Sequence, residues 1–338
     1  MTPTLITLTF VVSALLTRHF SRPDTVLYIV HAPNARSLHT RPIPVSGGVA
    51  ILIAVTLAIL LTCWYITHLE HVLWVCVGGA AIAIISFVDD CRHIPAPFRL
   101  IVHFLSACLL LCQNEFWIMQ WVLPGLSWDL SPFLQVILSF LFIVWMINLY
   151  NFMDGMDGFA GGMAVFGFGS LAILGGLAGQ WVFVAMNLVI VSAAAGFLVF
   201  NFPPAKIFMG DAGASTLGFL AAAFSLWGHH IEIFPLWIAL LIFSPFIVDA
   251  TVTLLRRTLN GEKVWVAHKS HYYQRLVQLG WGHKRTVLWE YLLMAGCSLS
   301  AIWALFAPAW IQWGLLIGWG FGYGYLMCWV SWLEQRAH

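Results

Sequence analysis

Hydrophobic residues do not alternate along this chain or recur on one helical face; they come in long blocks. Nearly unbroken apolar stretches occupy residues 2–17, 46–66, 72–88, 99–116, 133–150, 158–177, 181–200, 212–228, 235–255, 286–307 and 310–332. A helix needs about 20 largely apolar residues to cross a bilayer, because backbone groups left unpaired in hydrocarbon find no water. The blocks therefore predict an all-α fold: a polytopic membrane helical bundle of about ten or eleven transmembrane helices. They form a single integral membrane domain over residues 1–338. The first block and those at 99–116 and 212–228 are short or interrupted by glycine, which is where a helix could be lost from the count.

Composition agrees with the pattern. Apolar residues make up 61% of the chain and charged residues only 9%, against about 25% charged in an ordinary soluble domain. Fifteen Lys and Arg against 14 Asp and Glu leave a net charge of +1, so the basic excess that nucleic-acid binding requires is missing. The seven cysteines lie almost entirely inside apolar blocks, odd in number and without metal-ligand spacing, and read as small core residues. The first block has no basic stretch before it and no small-residue cleavage site after it, and reads as a retained first span.

Charge placement orients the bundle. With the N-terminus outside and spans alternating, all 15 Lys and Arg fall on one face, and cations in short loops mark the cytoplasmic side. The opposite loops keep the acids Glu70, Glu115, Asp129 and Glu232, which read as solvated turns. Two long inner connections, 18–45 and 256–285, and three short ones near 89–98, 150–157 and 201–211 then form the surface where function is expected.

That surface gathers five aspartates at span ends: Asp89 and Asp90 after the third block, Asp154 and Asp157 after the fifth, and Asp211 before the eighth. One such carboxylate simply ends a helix in water; five on one side require a cation or a shared ligand. Hard oxygen donors without paired His or Cys suit magnesium, which keeps several waters and joins protein to substrate phosphates. Arg92, Arg99, Lys206, Lys269 and Arg275 are interleaved with them, as a diphosphate substrate requires. Two Asp-Gly steps, at Asp154 and Asp157, precede the sixth block, and Asp211 stands as an N-cap candidate for the eighth. No Walker A lysine follows either glycine stretch. Asp249 and Glu290, the two acids within spans, read as structural groups near inner helix ends. His268 and His271 lack a thiolate partner and fit phosphate contact or proton transfer better than zinc; a basic segment lying on anionic lipid is the competing reading of that loop.

Taken together these residues resemble a known family. Asp89, Asp90 and Arg99; Asn148, Asn151, Asp154 and Asp157; Asn201, Pro203, Pro204, Lys206, Phe208 and Asp211; and His268 with His271 resemble the polyprenyl-phosphate N-acetylhexosamine-1-phosphate transferases. Pro33, Arg36, His39, Pro42, Pro44, Gly47 and Gly48 look like that family's first inner loop. The resemblance implies transfer of a sugar 1-phosphate from a UDP-N-acetylhexosamine to undecaprenyl phosphate, with release of UMP, at the cytoplasmic face of a bacterial inner membrane and with Mg2+ as cofactor. By similarity, Asn151 and Asp211 hold magnesium, and Asp157, Asn201 and Phe208 recognise uracil. Asp154 lines the cleft. Asp89 and Asp90 face the lipid phosphate, with Asp90 as the base where one is needed. His268 and His271 join them as catalytic residues, with Lys269 and Arg275 on the sugar-phosphate side and Arg41 as a further substrate contact. Membrane lipid is the third partner, and a homodimer is left open.

Arg92 stands a few residues after the Asp pair, where the muramyl-pentapeptide branch usually has Lys, and the His268 to His271 run is sparse beside that branch's His-rich one. The O-antigen or teichoic-type branch, initiating a cell-surface glycan, is therefore expected. Trp265, Tyr272 and Tyr273 are candidates for a pocket that takes a less polar sugar than N-acetylglucosamine. The alternatives are the phospho-MurNAc-pentapeptide transferase of the same superfamily, a polyprenyl lipid transporter or flippase, and a scaffold for a glycan-assembly complex.

Overall fold

The computed structural model describes residues 2–31, 38, 42–63, 70–92, 94–263, 266 and 268–337. The described chain is almost entirely helical: α1 (Thr2–Phe20), α2 (Gly47–Cys63), α3 (Glu70–Arg92), α4 (Ala96–Leu111), α5 (Pro132–Met153), α6 (Phe159–Leu177), α7 (Trp181–Asn201), α8 (Gly210–His230), α9 (Leu236–Ile242), α10 (Ser244–Leu259), α11 (Tyr272–Leu276), α12 (Gly282–Ala304) and α13 (Ala309–Ala337). Two short antiparallel ribbons accompany them, β1 (Val30–His31) with β2 (Ile43–Pro44) and β3 (Gln120–Leu123) with β4 (Leu126–Asp129). The protein is an all-α polytopic membrane bundle.

Among the described residues each predicted block coincides largely with helix, yet six helices are long and apolar enough to cross a membrane on their own composition, seven with α9 and α10 taken together. Part of the shortfall is length, since α2 and α4 are only 17 and 16 residues long, and part is composition, as in α8. That helix is built from Gly, Ala, Ser and Thr, is buried along nearly its whole length, and packs against α2, α3, α5 and α6. A helix surrounded by protein needs small residues for close approach more than it needs oily ones. Gly218 lets it close on Tyr150 and on the backbone of α5, and Gly213 meets Gly48 of α2 at backbone distance.

The block at 235–255, expected as one span, is broken. α9 and α10 meet at 80° around Phe243, where Pro245 in the first turn of α10 removes a backbone donor and Ser244 Oγ returns to the Leu241 carbonyl. Between α11 and α12 a π-helical turn (Val277–Trp281) carries Gly280 at φ +90°.

Contacts sort the helix ends into two groups. At one end the backbone of Pro44 and Gly47 pairs with Phe208, Asp90 meets the start of α8, and Arg275 of α11 reaches Glu334 of α13. At the other, Trp313 Nε1 donates to the Pro124 carbonyl, and a cavity of about 480 Å³ lies among Trp117, Gln120, His229, Phe234 and Leu305. The first end is the one on which the described cations and the five aspartates were predicted to lie.

Candidate active site

The last turn of α3 delivers two adjacent carboxylates, and adjacent residues on a helix point about 100° apart. They accordingly do different things. Asp89 accepts the N–H of Ile94 at 2.5 Å and Nη1 of Arg99 at 2.5 Å. The same Arg99 nitrogen also reaches Asp211 Oδ2 at 2.5 Å, so a single guanidinium bridges acids from α3 and α8. Asp90 turns the other way and accepts the backbone N–H groups of Asp211 at 3.0 Å and Ala212 at 3.2 Å.

This corrects the expected N-cap. The cap position of α8 is Met209, which supplies no side-chain bond, and Asp211 sits within the first turn. The free N–H groups of that turn are satisfied from another helix, by Asp90, where a negative charge also meets the positive end of the helix dipole. Gly210 makes the approach feasible: its φ is +75°, and a side chain there would strike the Val45 carbonyl and the Asp90 carboxylate.

Asp211, relieved of capping, presents a side chain that is 34% exposed. Besides Arg99 it has the Asn151 side chain as a hydrogen-bond neighbour and Asp89 close by. Asn151 ends α5, and the turn that follows holds Asp154 and Asp157. Loss of bulk water, then the charges of Asp211, Asp90 and Asp157, hold the Asp154 carboxyl well above the usual carboxylate range. Asp89, Asp90, Asn151, Asp154, Asp157 and Asp211, drawn from three separate stretches, therefore share one neighbourhood.

Asp157 and Asn201 stitch that turn to the 201–211 loop. Asp157 Oδ2 accepts the Ala205 N–H at 3.0 Å, and its other oxygen lies 3.2 Å from His283 Nδ1. Asn201 accepts the Gly158 N–H at 2.9 Å and donates to the Ile207 carbonyl at 2.8 Å. Phe208, half-buried, has its backbone N–H on Pro44 and its carbonyl on Gly47.

The histidine loop is built on a fourth carboxylate position. Asp249 of α10 accepts Nδ1 of His271 at 3.2 Å, the N–H groups of Tyr272 at 3.0 Å and Tyr273 at 3.1 Å, and Thr253 Oγ1 at 3.0 Å. His271 is buried, with His268 beside it at 4.8 Å between ring centroids. Removal from water and the neighbouring His271 and Arg257 lower the His268 imidazole to about 4, while its Nδ1 lies 2.8 Å from Ser270 Oγ. Arg256 and Arg257 close the loop onto the Ser270 carbonyl, the Val266 carbonyl and Glu262. Tyr273 joins this loop to the aspartates: it packs on Phe159, its hydroxyl donates to the Phe152 carbonyl at 3.4 Å, and Gly155 leaves room for it.

The remaining predicted residues divide. Lys269 is exposed beside His268. Arg275 is buried and bound to Glu334 and Ser331 of α13, with Tyr272 under its guanidinium at 4.6 Å. Tyr273 is in the core rather than on a pocket wall. Arg36, His39, Arg41 and Trp265 lie outside the described residues. Asp249 and His283 are the contributors that sequence reading passed over or took as merely structural; each stands next to a motif residue only in three dimensions.

Comparison with known proteins places this geometry. The family model described as glycosyl transferase family 4 matches residues 72–229, which hold all five aspartates and Asn151. The chain is 30% identical over 290 residues to the probable undecaprenyl-phosphate N-acetylglucosaminyl 1-phosphate transferase of Bacillus subtilis, covering 84% of this chain and 79% of that protein. The chain belongs to glycosyl transferase family 4. It is the family of polyprenyl-phosphate sugar-1-phosphate transferases that the motifs resemble. Within it, the chain is 28% identical over 320 residues to the decaprenyl-phosphate N-acetylglucosaminephosphotransferase of Mycobacterium tuberculosis, covering 85% of this chain and 77% of that protein. It is also 27% identical over 289 residues to the phospho-N-acetylmuramoyl-pentapeptide-transferase of Levilactobacillus brevis, covering 78% and 84% respectively. Both branches weighed from the sequence thus have relatives of this glycosyl transferase family 4 chain.

Proposed function

We propose that this multi-pass protein of the bacterial inner membrane transfers N-acetylhexosamine 1-phosphate from a UDP-sugar to undecaprenyl phosphate at the cytoplasmic face. The products are undecaprenyl-diphosphate-sugar and UMP. The observation that carries the reading is the convergence of Asp89, Arg99, Asn151 and Asp154 on Asp211 at the cation-bearing end of the bundle.

The chemistry asks little of the protein beyond alignment and charge. A phosphate oxygen of the lipid attacks the β-phosphorus of the nucleotide sugar; the bond to the bridging oxygen breaks, and UMP leaves with that electron pair. The attacking oxygen is already anionic near neutrality, so positioning and shielding of repulsion supply most of the rate. Asp90 keeps the start of α8 in place and so sets where Asp211 stands. Arg99, partly exposed and held between two carboxylates, can turn one donor to an incoming phosphate without leaving the cleft. His271 is held by Asp249 through Nδ1, which leaves Nε2 as the ring nitrogen that can exchange a proton.

Magnesium fits this donor set. Asp211 and Asn151 offer hard oxygens, and the acids outnumber the one guanidinium among them. Magnesium takes one or two protein ligands and completes its shell with water and phosphate. Asp211 and Asn151 would hold it, and when bound it neutralises the diphosphate.

N-acetylglucosamine is the first sugar to test, after the names of the Bacillus and Mycobacterium relatives. Purified protein incubated with undecaprenyl phosphate, Mg2+ and a panel of UDP-sugars should release UMP, and Asp211→Asn should abolish it. Turnover confined to the pentapeptide nucleotide would move the chain to the other branch, and lipid movement across vesicles without UMP would replace the transferase reading.

A further inference from the structure

A second chemically distinctive place lies away from the aspartates. Between α10, α11, α12 and α13 is a cavity of about 520 Å³ with Glu290 in its wall. Glu290 lies eight residues into α12, about 12 Å along the axis from Gly282. At that depth the group is either protonated or answered by a cation.

The surrounding charges are already committed. Asp249, which faces the same cavity from α10, is satisfied by His271, Thr253 and two backbone N–H groups. Arg275 is held by Glu334, Arg285 lies over the Trp281 ring at 4.0 Å and Arg336 over Trp332 at 4.0 Å. From α11 the cavity receives Tyr272 and from α13 Tyr323. Among the described residues nothing donates a hydrogen bond or an ion pair to Glu290.

The walls say what kind of cation would answer it. Trp289, Trp329 and Tyr325 line the same cavity beside Trp281, whose ring already carries Arg285, an aromatic lining of the kind that attracts ammonium groups. A metal ion would want several oxygens, and Glu290 brings one carboxylate. Leu292, Leu293 and Leu326 continue the cavity as hydrocarbon, and Trp289, Leu292 and Tyr325 are 55%, 63% and 71% exposed, so the cleft opens sideways between α12 and α13.

We propose that this lateral cleft binds an amphiphile carrying an ammonium headgroup, with the cation against Glu290 inside the tryptophan and tyrosine wall and the tail along the leucines. The occupant is either an aminophospholipid of the surrounding bilayer or a free cationic amphiphile; the ammonium is common to both.

Native mass spectrometry of the full chain in maltoside tests it, because it reads binding and does not depend on the transferase reading. Phosphatidylethanolamine and phosphatidylglycerol of matched chains, and dodecyltrimethylammonium, are titrated in turn. The ammonium compounds should bind about ten-fold more tightly than phosphatidylglycerol, and Glu290→Gln should remove that preference. Glu290→Asp should retain part of it, and Trp289→Leu should weaken it several-fold with the carboxylate intact. Phosphatidylethanolamine that survives purification and is displaced by dodecyltrimethylammonium identifies a bilayer lipid as the occupant. Binding of dodecyltrimethylammonium alone identifies a free amphiphile. Equal affinity for the ethanolamine and glycerol lipids together with undiminished dodecyltrimethylammonium binding by both Glu290→Gln and Trp289→Leu overturns the proposal.

Discussion

Asp90 caps a helix that begins 120 residues further on, its carboxylate accepting the backbone N–H of Asp211 at 3.0 Å. This gives Asp90 a positioning role that a general base would not need. Asp90→Ala should lower stability by about 1–2 kcal/mol, the usual range for losing a cap, and cut UMP release at least a hundred-fold, because Asp211 loses its anchor. Asp90→Asn keeps an acceptor and should recover most of the melting temperature. An Asp90→Ala protein that melts like the wild type would remove the capping role.

Arg99 is the one guanidinium seen between Asp89 and Asp211. Deleting it leaves the acids facing each other, which draws a divalent ion more strongly while removing a phosphate contact. Arg99→Ala should therefore need several-fold less Mg2+ for half-maximal UMP release, yet turn over about a hundred-fold more slowly. A higher Mg2+ requirement in the variant would contradict the electrostatic account.

Two glycines with the same backbone sign make a paired test. Gly210 (φ +75°) has the Val45 carbonyl and Asp90 where a side chain would go, whereas Gly261 (φ +71°) has nothing within 4 Å. Gly261→Ala should lose only the backbone penalty, about 1 kcal/mol. Gly210→Ala adds a clash and should lose at least about 2 kcal/mol more. Equal melting temperatures would mean the start of α8 is looser than described.

His268, lowered to about 4 by its surroundings, binds its proton less readily folded than unfolded. Between the unfolded value near 6.5 and about 4 the unfolded chain holds more protons, so stability is complete above pH 6.5 and declines as pH falls through that window. His268→Gln should flatten the decline. Its imidazole resonance, followed in labelled protein, should stay in the neutral position at pH 5.5; a midpoint near 6.5 would be the contrary result.

Asp249 touches His271 and not the substrate side, so it acts by orientation. Asp249→Asn and His271→Ala should each lower kcat about a hundred-fold with little change in KM, and the double variant should be no worse than the poorer single one. Simple multiplication of the two losses would show that Asp249 and His271 act separately.

The bundle was legible because blocks of apolar residues obey the solvent rather than the partner. The grouping of Asp89, Asn151 and Asp211 was legible for the same reason: acids at a boundary need a common cause. What could not be read are relations across helices. The Asp90 cap, the Asp157 and His283 contact and the Asp249 anchorage depend on which way a side chain leaves its helix, and a block pattern carries no such angle. The bend at Phe243 was hidden because Pro245 sits in apolar surroundings that continue a span by composition alone. The fate of Arg275 was hidden by its partner, Glu334, lying 59 residues away at the end of the last helix.

Tyr273 reaching Gly155 and the Phe152 carbonyl has a consequence for how such a protein diversifies. The join between the phosphate chemistry and the segment that carries His268 and His271 is a buried aromatic residue, so on that side the segment is moored by packing and not by a charged group. A replacement at the exposed Lys269 would leave that mooring intact.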